Sequence, residues 1–473
     1  MRSPSVLGPQ VGPFATDHVY WLSRVAAESR PPLRGSVAAD VAIVGAGFTG
    51  LWTAIRLLEA DATLRVVVLE QGSVAFGASG RNGGFCAASL THGLANGLRH
   101  FPDEVDILEE EGLRNLQELV GFVRTHGIDC HLEETGTLDV ATTPWQLAQL
   151  EEEVALAARH GGSPVLLDRG AIQDALNSPT YLGGIRHPAS HTVMVDPAAL
   201  CRGLARVATD MGATIHEHTR VRSISATDQA ARLVTAAPDG TEGSVIADRV
   251  VAATSAYVGW YPPLRRVAVP VYDYVLVSEP LTTEQRQAIG WQGREGASDS
   301  GNRFHYFRLT PDDRILWGGY DAIYHYGSRV DPALDQRPAS FATLEANFRT
   351  MFPQLADLAF PYRWGGAIDT SARFHVTFGR GLKDRLVYAV GYTGLGVGAS
   401  RWAAGIVRDM ILRPDSELLR LRFVRRRPFP WPPEPVRSIG IRWVQRDLAR
   451  ADETGRRSVV LRILDILGIG FDS

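Results

Sequence analysis

The sequence predicts an α/β protein: a parallel sheet built on an early strand–glycine turn–helix unit, interleaved with a second region of antiparallel strands. Three observations carry this. Asp40–Glu70 runs from an apolar β-branched strand through Gly45, Gly47 and Gly50 into a helix-spaced segment, then into a second strand. A second strand–glycine turn–helix unit, with Gly394, Gly396 and Gly398, follows Arg385–Val390 far down the chain. Between them, residues 267–279 and 303–319 carry the β-branched and aromatic residues of strands, the latter pair joined by a Pro-Asp-Asp turn.

The first unit is the most specific. Val41–Val44 reads as a buried parallel strand, and Leu51, Ala54, Ile55 and Leu58 have helical spacing. Gly45 suits a tight turn, Gly47 the close approach of a pyrophosphate, and Gly50 close helix–strand packing. Phe48 and Thr49 then open a helix whose unpaired N–H groups favour phosphate. Glu70 closes the second strand 20 residues past Gly50, where an acid binds ribose hydroxyls, with Gln71 beside it. Together these features predict a Rossmann-like dinucleotide-binding domain.

At 473 residues the chain is long enough for two or three domains. Hydrophobic content of 45% and charged content of 21% are ordinary for a globular protein, and a net charge of −3 gives no reason to expect nucleic acid. Three scattered cysteines, Cys86, Cys130 and Cys201, make neither a disulfide framework nor a zinc site, so no metal is expected. No run is long enough for an integral membrane segment, and the N-terminus lacks the order of a signal peptide; a cytoplasmic setting is expected.

Taken in order, residues 1–39 are expected to be an arm packed on the body, with aromatics at Phe14, Tyr20 and Trp21. The glycine-rich loop after Glu70 is too long and irregular to be idle in a compact domain. Residues 103–126 and 145–160 are helical by periodicity, with a strand at Gly136–Ala141 between them. Asp196-Pro197 opens another helix that stops before Gly212. Strands are expected at Thr214–Ile224, Ala231–Ala236 and Ser244–Ala253, the last leading into Thr254. From Leu421 a Pro- and Arg-rich arm ends in the apolar stretch Val459–Leu467. It is expected to pack on the body, with a membrane surface or a second subunit as the alternatives.

Four stretches, VAIVGAGFTGLWTA, ASGRNGGF, VDPAALCRGLA and GYTGLGVGASRWAAG, resemble the FAD-dependent D-amino-acid oxidase-like superfamily, most closely its γ-glutamylputrescine oxidase type. The resemblance implies an FAD-binding domain from residues 1–100, 170–265 and 360–420. It also implies a substrate domain from 101–169 and 266–359, leaving 421–473 as a C-terminal arm. It places the pyrophosphate at Gly45, Gly47 and Gly50 and the adenosine ribose at Glu70. Ser79, Arg81, Asn82 and Gly83 would lie along the pyrophosphate, ribityl chain and flavin, with Val221 at the adenine and Thr254 nearby. Thr393, Gly394, Leu395, Gly396 and Val397 would put backbone N–H groups near the flavin's pyrimidine oxygen. That position suits a reduced ring carrying negative charge.

Relatives that bind flavin covalently use a cysteine in the region matching residues 367–380 or a histidine in the stretch matching SGRNGGF. Neither is present, so the FAD is expected to be non-covalent. Lys383, the only lysine, sits in a polar turn; either a His or Arg activates oxygen, or the physiological electron acceptor is not oxygen. Expected pocket residues for a small amine substrate are Tyr272, Tyr274, His305, Arg308 and Tyr320. The expected reaction is oxidation of an amine or amino acid by hydride transfer to flavin. The imine is then hydrolysed and oxygen reduced to peroxide. A dehydrogenase serving a quinone or carrier protein is the rival, and a flavin-binding regulatory module a more distant one.

Overall fold

The computed structural model describes residues 18–24, 28–427 and 429–467. Its first sheet has five parallel strands in the order 386–390, 242–252, 35–44, 66–69, 214–216. Thr377–Gly381 pairs antiparallel at one edge, and 231–236 and 220–226 fold as antiparallel additions onto 242–252. Val41–Val44 and Val66–Leu69 are fully buried, as continuous apolar strands covered on both faces should be.

Helix Phe48–Ala60 leaves the first strand and packs between helices Gly396–Leu412 and Pro197–Asp210. Its Leu51, Trp52 and Ile55 share one core with Ala403, Ile406 and Val407 of the second glycine helix. Gly50 is needed by contact: a Cβ there would run into the carbonyl of Gly45 and the side chain of Ile43. Asp196 caps helix Pro197–Asp210 by accepting from the Ala199 N–H, as the Asp-Pro start suggests.

The second sheet is mostly antiparallel, in the order 362–371, 268–277, 315–319, 305–309, 296–299, 137–141, 183–187, 165–167. Helix Pro338–Met351 covers it over a core of Trp317, Phe307, Phe348 and Phe352. Two strands inside ranges expected for the first unit, Gly183–His187 and Tyr362–Ser371, pair in this second sheet. We therefore propose that the two units exchange the chain nearer residues 188 and 372.

The expected single strand Thr214–Ile224 is two strands. Thr214–His216 ends the parallel sheet, Arg220–Ala226 starts the hairpin, and the corner between them carries His218 at φ 50°. The break is functional for the fold, because Glu217 accepts the N–H groups of Val74 and Arg30 while Thr219 donates its N–H to the Glu70 carbonyl. In the N-terminal arm Tyr20 and Trp21 are buried, and Trp21 Nε1 donates to the Asn82 carbonyl at 2.9 Å. Phe14 lies outside the described residues. At the other end, helix Val436–Thr454 was not legible in the pattern, whereas Val459–Leu467 is helical as an apolar run allows.

Gly50→Ala is expected to cost about 1–3 kcal/mol, the range for forcing a methyl into a packed site. A urea unfolding curve followed by far-UV circular dichroism measures it.

Candidate active site

One continuous cavity of about 1930 Å³ runs from the ends of the parallel strands to the second sheet. Such a crevice, outside the carboxyl ends of parallel strands, is where open α/β sheets bind ligands. Gly45, Gly47, Phe48, Thr49, Glu70, Gln71, Val221 and Thr254 line its first part. Gly50 does not; it is the packing glycine beneath. Glu70 accepts the Ala46 and Gly72 N–H groups, each at 2.9 Å, one on each carboxylate oxygen. A carboxylate has about four lone-pair sites, so acceptor capacity remains for a hydroxyl. Burial, opposed by these backbone bonds, raises the carboxyl's pKa above its ordinary value.

Next along the cavity lies the Ser79–Gly83 loop. Ser79 Oγ accepts the Phe48 N–H at 2.9 Å, tying the loop to the first helix. Asn82 holds the loop's own shape: its amide nitrogen donates to the Ala78 and Ser79 carbonyls and its oxygen accepts the Gly84 N–H. Arg81 is buried, with Nη1 on Asp335 at 3.0 Å and Nε on the Phe76 carbonyl at 2.9 Å. Its Nη2 is buried with no hydrogen-bond partner.

Thr393–Val397 close the other side. Thr393 has φ 53° and Gly394 φ 101°, so two successive left-handed residues turn the chain before helix Gly396–Leu412. Asp369 holds this turn, accepting the Gly391 N–H at 2.6 Å; burial pushes its carboxyl up to about 6. His92 sits against the Thr393 carbonyl at 2.6 Å, and its burial favours the neutral ring. Neither glycine helix is capped by the side chain of its own N-cap residue, Gly47 or Leu395. The two starts are joined directly, since Thr49 Oγ1 donates to the Tyr392 hydroxyl at 2.9 Å.

This cradle fits an extended dinucleotide. Two helix ends with no capping side chain of their own face the cavity, Ser79 taking only the Phe48 N–H of the first; Gly394 leaves open space for close approach, and the buried Arg81 Nη2 lacks a hydrogen-bond partner. None of Cys86, Cys130 or Cys201 lines the cavity.

The expected pocket residues divide. Tyr320 lines the cavity, stacked between the His305 ring at 5.0 Å and the Arg303 guanidinium at 4.6 Å. Tyr272 touches it, but its hydroxyl is turned away, donating to the Asp331 carbonyl. Tyr274 is buried in the second core with its hydroxyl on the Leu334 carbonyl. His305 is also behind the wall, held by Asp299 at 2.6 Å and Asn347 at 3.0 Å. Arg308 is fully buried, with Nη1 on the Val195 carbonyl at 2.8 Å and Nη2 near Glu133 at 3.4 Å. Tyr274, His305 and Arg308 are thus corrected from pocket to framework.

The reason is strand phase, in which a one-residue shift exchanges faces. On strand Ala268–Val277 the cavity face is Val271, Asp273 and Val275; on strand His305–Leu309 it is Tyr306. Tyr306 leans on Gly83 and Gly318 and donates to Asp273 Oδ2 at 2.5 Å. Burial pushes the Asp273 carboxyl up to about 6, against the Tyr306 bond, which lowers it. A lone acid within PVYDYVLV was the available signal for this residue. Lys383 is far from this chemistry, exposed and paired with Asp228 at 2.7 Å.

Glu70→Gln removes one acceptor and turns an amide donor toward a backbone N–H. Dinucleotide affinity is expected to fall about 10- to 100-fold, from the worth of hydrogen bonds to charged groups. Fluorescence titration of the apoprotein reads it.

Comparison with known proteins agrees with this geometry. Residues 40–410 match the DAO family model, described as FAD dependent oxidoreductase. Over 401 residues the chain is 30% identical to the gamma-glutamylputrescine oxidoreductase of Escherichia coli (strain K12), covering 81% of this chain and 86% of that protein. Over 396 residues it is 28% identical to the probable oxidoreductase OrdL of Haemophilus influenzae, covering 82% and 86% respectively. Glycine oxidase from Geobacillus kaustophilus shares the fold with a TM-score of 0.66 at 21% identity, over 80% of this chain and 96% of that one. The chain belongs to the DAO family of FAD-dependent oxidoreductases.

Proposed function

We propose that this enzyme oxidises the C–N bond of an amine or amino acid, with γ-glutamylputrescine-like amines and N-substituted glycines as the substrate classes. Oxygen is the acceptor in this reading, giving hydrogen peroxide. The similarity to gamma-glutamylputrescine oxidoreductase supports the class. The observation that carries it is the Asp273–Tyr306 pair, set in the cavity beside the Ser79–Gly83 loop.

FAD, held without a covalent bond by the two glycine turns, Glu70 and the Ser79–Gly83 loop, supplies the two-electron acceptor for the hydride leaving the carbon beside nitrogen. Asp273 attracts the substrate ammonium and takes its proton, leaving a lone pair to assist loss of the hydride. Its ordinary range would make it a weak base, and burial moves it closer to working pH. Val271, Val275, Phe304 and Tyr320 make a wall that disfavours a charged ammonium. Tyr306 keeps the carboxylate aimed through its hydroxyl. Water then hydrolyses the imine.

A dehydrogenase serving a quinone or a carrier protein is the second reading. It is favoured by one observation: Lys383, the chain's only lysine, is on the surface, so no ammonium side chain lines the cavity.

Under air, one peroxide per substrate oxidised is expected; substrate turnover that needs an added quinone or dye and yields no peroxide selects the dehydrogenase. Because Asp273 acts ionised, kcat/KM should fall as pH drops through about 6. Asp273→Asn should lose that inflection and about 10²–10⁴-fold in kcat/KM, the usual worth of general base catalysis. The flavin spectrum serves as the control for folding. An unchanged pH profile in the variant contradicts the assignment.

A further inference from the structure

The C-terminal arm is tied to the body by hydrogen bonds at several points along its length. Asp452 accepts from the Asn302 backbone N–H at 2.7 Å and from Arg303 Nε at 3.2 Å. Glu434 accepts the Tyr324 hydroxyl at 2.6 Å, and Arg437 Nη1 donates to Ser328 Oγ at 2.7 Å. These bonds fix helix Val436–Thr454 across the mouth of the cavity. The same helix also carries an exposed stripe.

That stripe is apolar. Val436, Ile439 and Trp443 follow one helix face, and Val459 and Ile463 are exposed on the next helix, which packs on the first through Leu448, Ala451 and Leu461. All five are between 51% and 70% exposed. Large apolar side chains so exposed are rare on the rest of the described surface, and here five fall on two consecutive helices. Around them stand exposed Arg442, Arg446 and Arg450. Residues 421–473 carry 11 Arg against six Asp and Glu, a net charge of +5 at one end of a chain whose total is −3. Trp443, Val436 and Arg446 are exposed and also line the cavity, so part of the apolar stripe lies at its opening.

We propose that the C-terminal arm seats the cavity mouth on an anionic membrane surface, with Val436, Ile439, Trp443, Val459 and Ile463 in the headgroup–acyl boundary and Arg442, Arg446 and Arg450 on lipid phosphates. An apolar stripe flanked by arginines with a tryptophan in it has the chemistry of an interfacial helix. Among the described residues no helix is long and apolar enough to cross a membrane, so the attachment is peripheral. A second copy of this chain would cover the apolar stripe but would bring the same arginines against one another. Charge complementarity therefore selects the lipid. The inference does not depend on which amine is oxidised or on the acceptor.

The test is co-sedimentation of the full-length holoenzyme with phosphatidylglycerol–phosphatidylcholine vesicles and with phosphatidylcholine alone. Binding to the anionic vesicles only, weakened by salt, is the expected result. Arg442→Ala/Arg446→Ala should weaken partitioning about 25-fold, from about fivefold per arginine near an anionic surface. Ile439→Asp/Trp443→Asp, both at exposed positions, should abolish it, with circular dichroism and flavin absorbance confirming the fold. Failure to sediment with anionic vesicles overturns the proposal. So does unchanged binding by the Ile439/Trp443 variant, or a dimer in light scattering that this variant dissociates while vesicle binding is nil.

Discussion

Two helices begin at the same cavity with nothing of their own to cap them, and the hydrogen bond from Thr49 to Tyr392 holds their first turns together. Each start carries about half a positive charge from its aligned peptide dipoles. Bringing two such ends together is unfavourable until an anion lies between them. The pyrophosphate and the reduced flavin ring are anions of that kind, one suited to each turn. Much of the rest of the fold can be read as support for this arrangement. Gly50 lets the first helix approach its strand, Glu217 and Thr219 brace the corner beside Glu70, and Asp369 fixes the backbone of the second turn.

The second sheet then supplies what the cradle lacks, a wall with a carboxylate in it. Its junction with the first sheet is unusually polar for a buried region. Arg308 bridges the Gly84 and Val195 carbonyls and Glu133, and Arg81 links Phe76 to Asp335 and Gly365. Buried guanidiniums are stable only when paired and hydrogen-bonded, and they bring geometric precision more than net stability. That precision matters because Tyr306, which packs on Gly83 of the Ser79–Gly83 loop, also sets the angle of Asp273.

Much of the parallel-sheet half was legible in the sequence because backbone does its work there, and backbone needs leave marks. Glycines at fixed spacing, an acid at a strand end and an Asp-Pro helix start are each forced by local geometry. The half built on the second sheet was less legible because its cavity residues are chosen by which face of a strand meets the cavity. The aromatic residues of VYDY drew attention to Tyr272 and Tyr274, yet these pack the second core while Asp273 between them faces the site. His305 and Arg308 were conspicuous by chemistry, and each proved committed to buried partners. The arm's helix from Val436 was hidden by the prolines before it, and its place at the cavity mouth is a tertiary fact no local pattern encodes.

We propose that an FAD molecule lies stretched between the two glycine turns, its adenosine half at Glu70 and Val221 and its flavin at Thr393–Val397. The most direct measurement is the melting temperature of the apoprotein with added FAD, and separately with FMN, which lacks the adenosine half. FAD at about a thousand times its Kd should stabilise the fold by about 4 kcal/mol, and FMN at the same concentration should stabilise it far less. An unmoved melting temperature with FAD, or an equal rise with FMN, contradicts the account.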